Sequence, residues 1–206
     1  MFIRKKTSYS SGSLSKLAWI RFRRIKIASG SLLFVLVVVL MAASWYWITP
    51  DKTPMVNEQN LLISTLKPGS SVTVLQVTKN QHIPERFFLF RLISGQENNF
   101  LAFPLQKFSF RGDSILIKEF SKDSAGLEKA FHLADVCYPL AENSQITYTK
   151  NVFSFTILDG RVIKESISKL RNQVIKNNIV KKTFLLGTDR YGRDVLSQII
   201  IGARVS

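Results

Sequence analysis

The side chains best suited to chemistry in this 206-residue chain are few: two histidines, one cysteine and 14 acidic residues. His82 and His132 stand 50 positions apart with Cys137 after them, and none has the closely paired spacing that builds a zinc site. Arg111-Gly112-Asp113 spells a known adhesion tripeptide but falls where a hairpin turn is expected. The chain has no glycine-lysine phosphate loop, no nucleophile elbow and no convincing carboxylate pair, so neither a catalytic residue, a metal nor a cofactor is expected. With one cysteine there is no internal disulfide. The densest run of interacting charges lies instead at residues 184–206, "FLLGTDRYGRDVLSQIIIGARVS". There Gly187 allows a sharp bend, and Thr188 or Asp189 can cap the first exposed amides of a helix. On that helix Asp189 and Arg193, and Arg190 and Asp194, would pair along two adjacent rows. Val195, Leu196, Ile199, Ile200 and Ala203 would form an apolar face interrupted by Gly202 and Arg204.

An apolar helix needs a partner, and the rest of the chain offers two. The net charge of +15 is unevenly spread: residues 1–26 hold eight of the 29 basic residues and no acid, leaving 21 bases against 14 acids elsewhere. Behind this tail runs "IASGSLLFVLVVVLMAASWYWIT", residues 27–49, without a charge. At about 1.5 Å per residue it spans roughly 34 Å, enough for a bilayer core. Trp45, Tyr46 and Trp47 close its far end and Trp19 lies on the near side, as interfacial aromatic residues do. The flanking bases keep residues 1–26 in the cytoplasm and put the chain after Pro50 outside. The tail is accordingly read as juxtamembrane, with no nucleic acid as partner. The apolar run is longer than a signal-peptide core, so it is read as an uncleaved anchor.

Between the anchor and residue 184, alternation and turn signals point to strands. "SVTVLQVTK" (71–79) fits a largely buried strand. "RFFLFRLI" and "NFLAF" flanking "SGQENN", and "KFSF" and "SILIKEF" flanking the Arg-Gly-Asp turn, predict two hairpins. Asp159-Gly160 inside "NVFSFTILDGRVIKE" predicts a third. "KESISKLRNQVIKNN" shifts to helical spacing, with Ile167, Leu170, Val174 and Ile175 near one face. The predicted fold class is a membrane protein with four parts: a basic tail (1–26), one transmembrane α-helix (27–49), a mostly β (α+β) extracytoplasmic domain ending in an amphipathic helix (50–183), and a C-terminal amphipathic helix (184–206). That last helix either lies at the membrane surface before a further span or packs on the β domain.

The closing segment also resembles a family signature. "LLGTDRYGRDVLSQIIIGARVS" is similar to the motif of the second, C-type permease subunit of ABC importers for dipeptides, oligopeptides and nickel. In that family Leu-Gly-Thr-Asp-x-x-Gly-Arg-Asp, an apolar stretch and Gly-Ala-Arg stand before the second transmembrane helix. Leu186, Gly187, Thr188, Asp189, Gly192, Arg193, Asp194, Gly202, Ala203 and Arg204 fill every fixed position. The resemblance implies a bacterial inner-membrane permease working with a second permease subunit, two cytoplasmic ATPases and an extracytoplasmic substrate-binding protein. It makes the chain a non-enzymatic N-terminal part of such a permease, either a fragment or a truncated copy, with Ser206 where the second span begins, and the signature is expected to shape the outer mouth of the path. The stretch of about 130 residues between helix and motif is longer than the family's usual loop. The rival expectation is a single-pass anchored adaptor or sensor in the envelope.

Overall fold

Residues 14–53, 56–121, 126–142, 144–149 and 152–205 are described by the structure, a computed structural model. The basic tail enters it as a helix, α1 (Leu14–Arg24), in which Trp19 stacks on Phe22 and carries the Arg23 guanidinium 5.5 Å from its ring centre. Ile25 adopts an extended conformation and breaks the helix, and α2 (Lys26–Ala43) follows with no buried residue. Among the described residues α2 is the one helix long and apolar enough to cross a membrane. The predicted span is not one continuous rod. Ser44, at φ −94° and ψ 11°, separates α2 from a last turn, α3 (Trp45–Ile48). Thr49 closes that turn by donating both its amide and its hydroxyl to the Trp45 carbonyl, and Pro50 lacks the amide that would continue it.

The sheet-rich region is built on β1 (Ser70–Thr78), a central strand flanked by β2 (Phe100–Arg111) and by β8 (Ile179–Phe184). With β3 (Ser114–Glu119) and β4 (Glu128–His132) these form a five-stranded antiparallel sheet in the order β4-β3-β2-β1-β8. A second sheet of β5 (Thr147–Thr149), β6 (Val152–Thr156) and β7 (Val162–Ser166) carries the Asp159-Gly160 hairpin. Helices α5 (Leu133–Cys137) and α6 (Ile167–Gln173), the latter prolonged by a π-helical turn to Asn178, complete the main core. Leu75, Val77, Ile115, Ile117, Leu133, Phe153, Phe155, Leu170 and Val174 meet there. On its other face β1 contributes Val72 and Val74 to a smaller cluster with Ile63 and Phe184. Burial on both faces explains why its apolar alternation is incomplete.

Three expectations differ from the structure. "RFFLFRLI" is not a strand but helix α4 (Phe88–Ser94), closed by Gly95 at φ +75°. An unbroken apolar run fits either element, and β2 already has β1 and β3 on its two edges, so no edge is open to a further strand. "NFLAF" and "KFSF" are one strand, β2, with an irregularity between Leu105 and Lys107, and its hairpin with β3 turns at Gly112-Asp113. The amphipathic helix does not end the region, because β8 follows it and pairs with β1 from Leu75↔Ile179 to Ser70↔Phe184.

Candidate functional site

Beyond Phe184 the chain folds around a turn rather than a helix. Thr188 and Asp194 face each other across an isolated antiparallel bridge, and Asp189 accepts from the Gly192 amide inside it. The Asp189 carboxylate fastens the turn. Oδ1 accepts from the amides of Tyr191 (2.8 Å) and Arg193 (2.9 Å), and Oδ2 from Arg193 Nε (2.8 Å), with Nη2 at 2.7 Å. Burial by itself would raise the Asp189 pKa, yet the hydrogen bonds from Arg193 and Tyr191 and the Arg193 charge hold it below the ordinary carboxylate value. The expected Asp189–Arg193 pair is present, whereas Arg190 lies 4.7 Å over the Tyr191 ring and does not pair with Asp194. In a bridged turn, residues four apart no longer share a helical face.

Helix α7 (Val195–Val205) begins only after this turn, so its cap is Asp194, not Thr188 or Asp189. Asp194, 3% exposed, accepts from the Ser197 amide (2.9 Å) and from the Ser197 hydroxyl through Oδ2, while Oδ1 is buried with no hydrogen-bond partner in the structure. Ser197 Oγ in turn accepts from the Asp51 amide. Asp51, buried just beyond the end of α3, accepts from the amide and hydroxyl of Thr53 and from the amide of Glu58. One chain of polar contacts therefore ties the start of α7 to the exit of the first apolar helix.

The signature turn is clasped by residues 60–68, a segment the sequence reading passed over. The Thr188 hydroxyl donates to the Ile63 carbonyl and accepts from the Leu66 amide (2.8 Å), and the Thr188 amide donates to the Leu66 carbonyl (3.2 Å). Thr65 donates its amide to Asp189 O (2.9 Å) and Asn60 to Tyr191 O (3.0 Å). The approach is close enough to need glycine. A Cβ on Gly187 would meet the Leu66 carbonyl oxygen and one on Gly192 the Asn60 carbonyl oxygen, and both residues have positive φ, +76° and +75°. Thr65 and Val56 are the two non-glycine residues with positive φ among those described, and both are bonded to this segment, Val56 through its carbonyl to Gln198. Backbone strain concentrates where surrounding contacts over-determine it.

From there α7 runs antiparallel to the end of α2 and to α3. Ser197 is level with Asp51, Ile200 and Ile201 pack with Val56 on Trp45, and Arg204 lies 5.0 Å over the Trp45 ring. Trp45, expected as an interfacial anchor, is only 2% exposed and serves as the seat for α7, while Trp47 is exposed. The buried stripe of α7 is Ser197, Ile200 and Ile201, whereas Ile199, counted in the expected apolar face, is exposed, as are Gly202 and Ala203. Of the signature residues, Gly187, Thr188, Asp189, Gly192, Arg193 and Asp194 gather in the turn, and Arg204 reaches Trp45. The local signals that could have exposed the missed partners are Asp51-x-Thr53, an Asx-turn pattern, and Asn60, whose side chain caps a short 3-10 turn at Leu61–Ile63.

No group of three or more His, Cys, Asp or Glu side chains able to hold a metal occurs among the described residues. His132 instead accepts from the Ala134 amide at the start of α5, and Cys137, pushed up to about 12 by burial and then by the Glu165 charge, lies beside the Leu170 carbonyl.

Residues 13–68 match the family model of the N-terminal transmembrane domain of oligopeptide transport permease C. The matched stretch contains α1, α2, α3 and the segment that clasps Thr188. This part of the chain is similar to the N-terminal transmembrane region of that permease family. No curated protein and no solved structure matches the chain.

Proposed function

We propose that residues 1–206 form the N-terminal region of the C-type permease subunit of an ABC importer that brings peptides across the bacterial inner membrane. Residues 1–26 face the cytoplasm, 27–49 cross the bilayer, 50–183 lie outside, and 184–206 return the chain to the membrane as the start of a second span. The observation carrying this reading is the antiparallel seat of α7 on Trp45, held by the Asp51–Ser197–Asp194 contacts. Two helices that run in opposite directions past one another are what a chain needs to re-enter a bilayer beside its first span. Gly187, Thr188, Asp189, Gly192, Arg193 and Asp194 then act as a latch that fixes the angle of entry at the outer mouth. Gly202, Ala203 and Arg204 lie further along α7, where the path proper begins.

On this reading the protein is not an enzyme. ATP hydrolysis on two cytoplasmic ATPase subunits drives the permease pair between outward- and inward-open states, and an extracytoplasmic binding protein delivers the cargo. The matched family favours peptide over nickel. Uptake of labelled peptide and of radioactive nickel is measured in cells carrying the permease with its partners, with and without Arg193→Ala. Peptide uptake that falls with the substitution, while the complex still assembles, supports the assignment. If assembly and both uptakes are unchanged by Arg193→Ala, the latch role is wrong. A second reading, an anchored adaptor, draws on the main core closing without help from α2. It requires that loss of this chain leave uptake intact.

A further inference from the structure

Four consecutive large apolar side chains, Phe87 (68% exposed), Phe88 (54%), Leu89 (57%) and Phe90 (65%), stand uncovered at and before the start of α4. Such a run covers most of the circumference of a short helix, so no rotation about its axis would hide it from water. Among the described residues, no helix or strand makes an extended contact with α4. The loop is nevertheless fixed at its base. The Gln96 amide donates to Lys52 O (3.0 Å), its side chain holds the Arg86 amide and the Pro84 carbonyl, and Arg86 reaches the Ser94 hydroxyl (2.9 Å). Gly95 lies so close to Lys52 that a Cβ would stand 2.7 Å from its carbonyl oxygen. Residues 84–96 are thus a pinned loop with an apolar tip rather than a slack one.

The pin decides where that tip is. Lys52 is four residues past Ile48, the end of α3, and four extended residues reach about 14 Å at most. The base of α4 therefore lies within about 14 Å of the end of the apolar helix. A seven-residue helix is about 10 Å long, the same scale as the 5–10 Å to which interfacial helices bury their apolar side.

We infer that α4 is a membrane-dipping element. Phe87, Phe88, Leu89 and Phe90 insert into the headgroup and acyl boundary of the outer leaflet beside the first span and hold the sheet-rich region at a fixed tilt on the membrane. The occupant is the lipid surface, because that surface is continuous with the one the neighbouring helix already crosses. Phe and Leu at this depth leave water without needing a complementary protein pocket. The inference rests on α2 crossing the membrane, and its test separates the two.

In the full chain carrying Cys137→Ser, single cysteines are introduced in turn as Phe90→Cys, Val37→Cys and Asp159→Cys. Each is labelled with an environment-sensitive fluorophore and reconstituted in vesicles of phosphatidylcholine and phosphatidylglycerol. Val37 lies in α2, and Asp159 in the exposed β6–β7 turn. The expected result is blue-shifted emission at position 90, quenched by brominated lipid as at position 37 and protected from iodide, with position 159 showing the reverse. Phe88→Cys, labelled in the same way, should repeat the result at 90. If position 37 is lipid-quenched while position 90 is quenched by iodide, α4 is in water and the inference fails. It fails equally if position 90 is shielded from both quenchers, since a protein then covers the tip. Absence of lipid quenching at position 37 overturns the spanning reading itself, and this inference with it.

Discussion

Replacing Gly192 by alanine separates the two things glycine does at the latch. Any L-residue placed at φ +75° bears a conformational cost of about 1–2 kcal/mol. Gly160, in the β6–β7 turn, has φ +81° and nothing within 4 Å of an added Cβ, so Gly160→Ala meets that cost alone. At Gly192 the Cβ would also drive into the Asn60 carbonyl, and its other near neighbours are the Asn60 backbone carbon and nitrogen, which have no rotamer to give. Relief requires the turn to lift off residues 60–66. That surrenders the Asn60–Tyr191 and Thr65–Asp189 backbone bonds, each worth about 1 kcal/mol net. Gly192→Ala is therefore expected to cost about 3–4 kcal/mol against about 1–2 for Gly160→Ala. The difference, about 2 kcal/mol, is a separation of roughly 4–8 °C in melting temperature for a chain of this size. Thermal unfolding of the two variants in lipid nanodiscs reads it, together with hydrogen exchange at the Ser197 and Gln198 amides, which sit at the start of α7 and should open first. Equal melting temperatures and unchanged exchange at those amides would refute the claim that close backbone approach at Gly192 holds the latch.

The other contacts lead to further expectations. Asp194→Ala removes the cap of α7 and leaves the buried Ser197 amide and hydroxyl without their acceptor, a loss of about 2–4 kcal/mol, whereas Asp194→Asn retains an acceptor and should cost far less in the same melt. Because the Asp189 pKa is lowered on folding, its contribution is complete above the ordinary value of 3.8 and is lost as pH falls through the lower folded value. Stability measured from pH 7 to 5 should carry no Asp189-dependent slope, and one that vanishes in Arg193→Ala would contradict this. Cys137, raised from 9.0 to about 12, should hold roughly a thousandfold less thiolate than an ordinary cysteine and react slowly with iodoacetamide at pH 8 until denatured; rapid labelling of the folded protein would show that the thiol is not buried.

Much of the architecture was legible because it is local. The uncharged run after the basic tail specifies an apolar helix by composition, and Gly112-Asp113 and Asp159-Gly160 turn their hairpins where such dipeptides are expected. Leu170 and Val174 lie buried on the helix their spacing indicated. What was misread depends on partners distant in sequence. "RFFLFRLI" could have been either element, and the occupied edges of β2 settled it. Lys181 and Lys182 mask the alternation of β8, which is defined by pairing with a strand more than a hundred residues earlier. The signature displays its glycines and charges plainly, but its helix starts later than the first capping residue because Ile63, Leu66 and Asn60 hold residues 187–192 in a turn. No spacing within 184–206 reveals a clasp made by residues 60–66. The type and position of Trp45 suit the headgroup zone but do not reveal that Ile200 and Ile201 make it a helix–helix contact.

The turn at residues 187–194 lays α7 back along the end of α2 and on α3, the arrangement on which the proposed permease reading rests. The most direct measurement replaces Trp45 with p-benzoylphenylalanine in the full-length protein, irradiates native membranes and maps the adducts by mass spectrometry. Cross-links within the same chain to the segment Leu196–Arg204, centred on Ile200 and Ile201, are the expected result. Adducts to lipid alone, or none to α7, would return Trp45 to the membrane surface and contradict that arrangement.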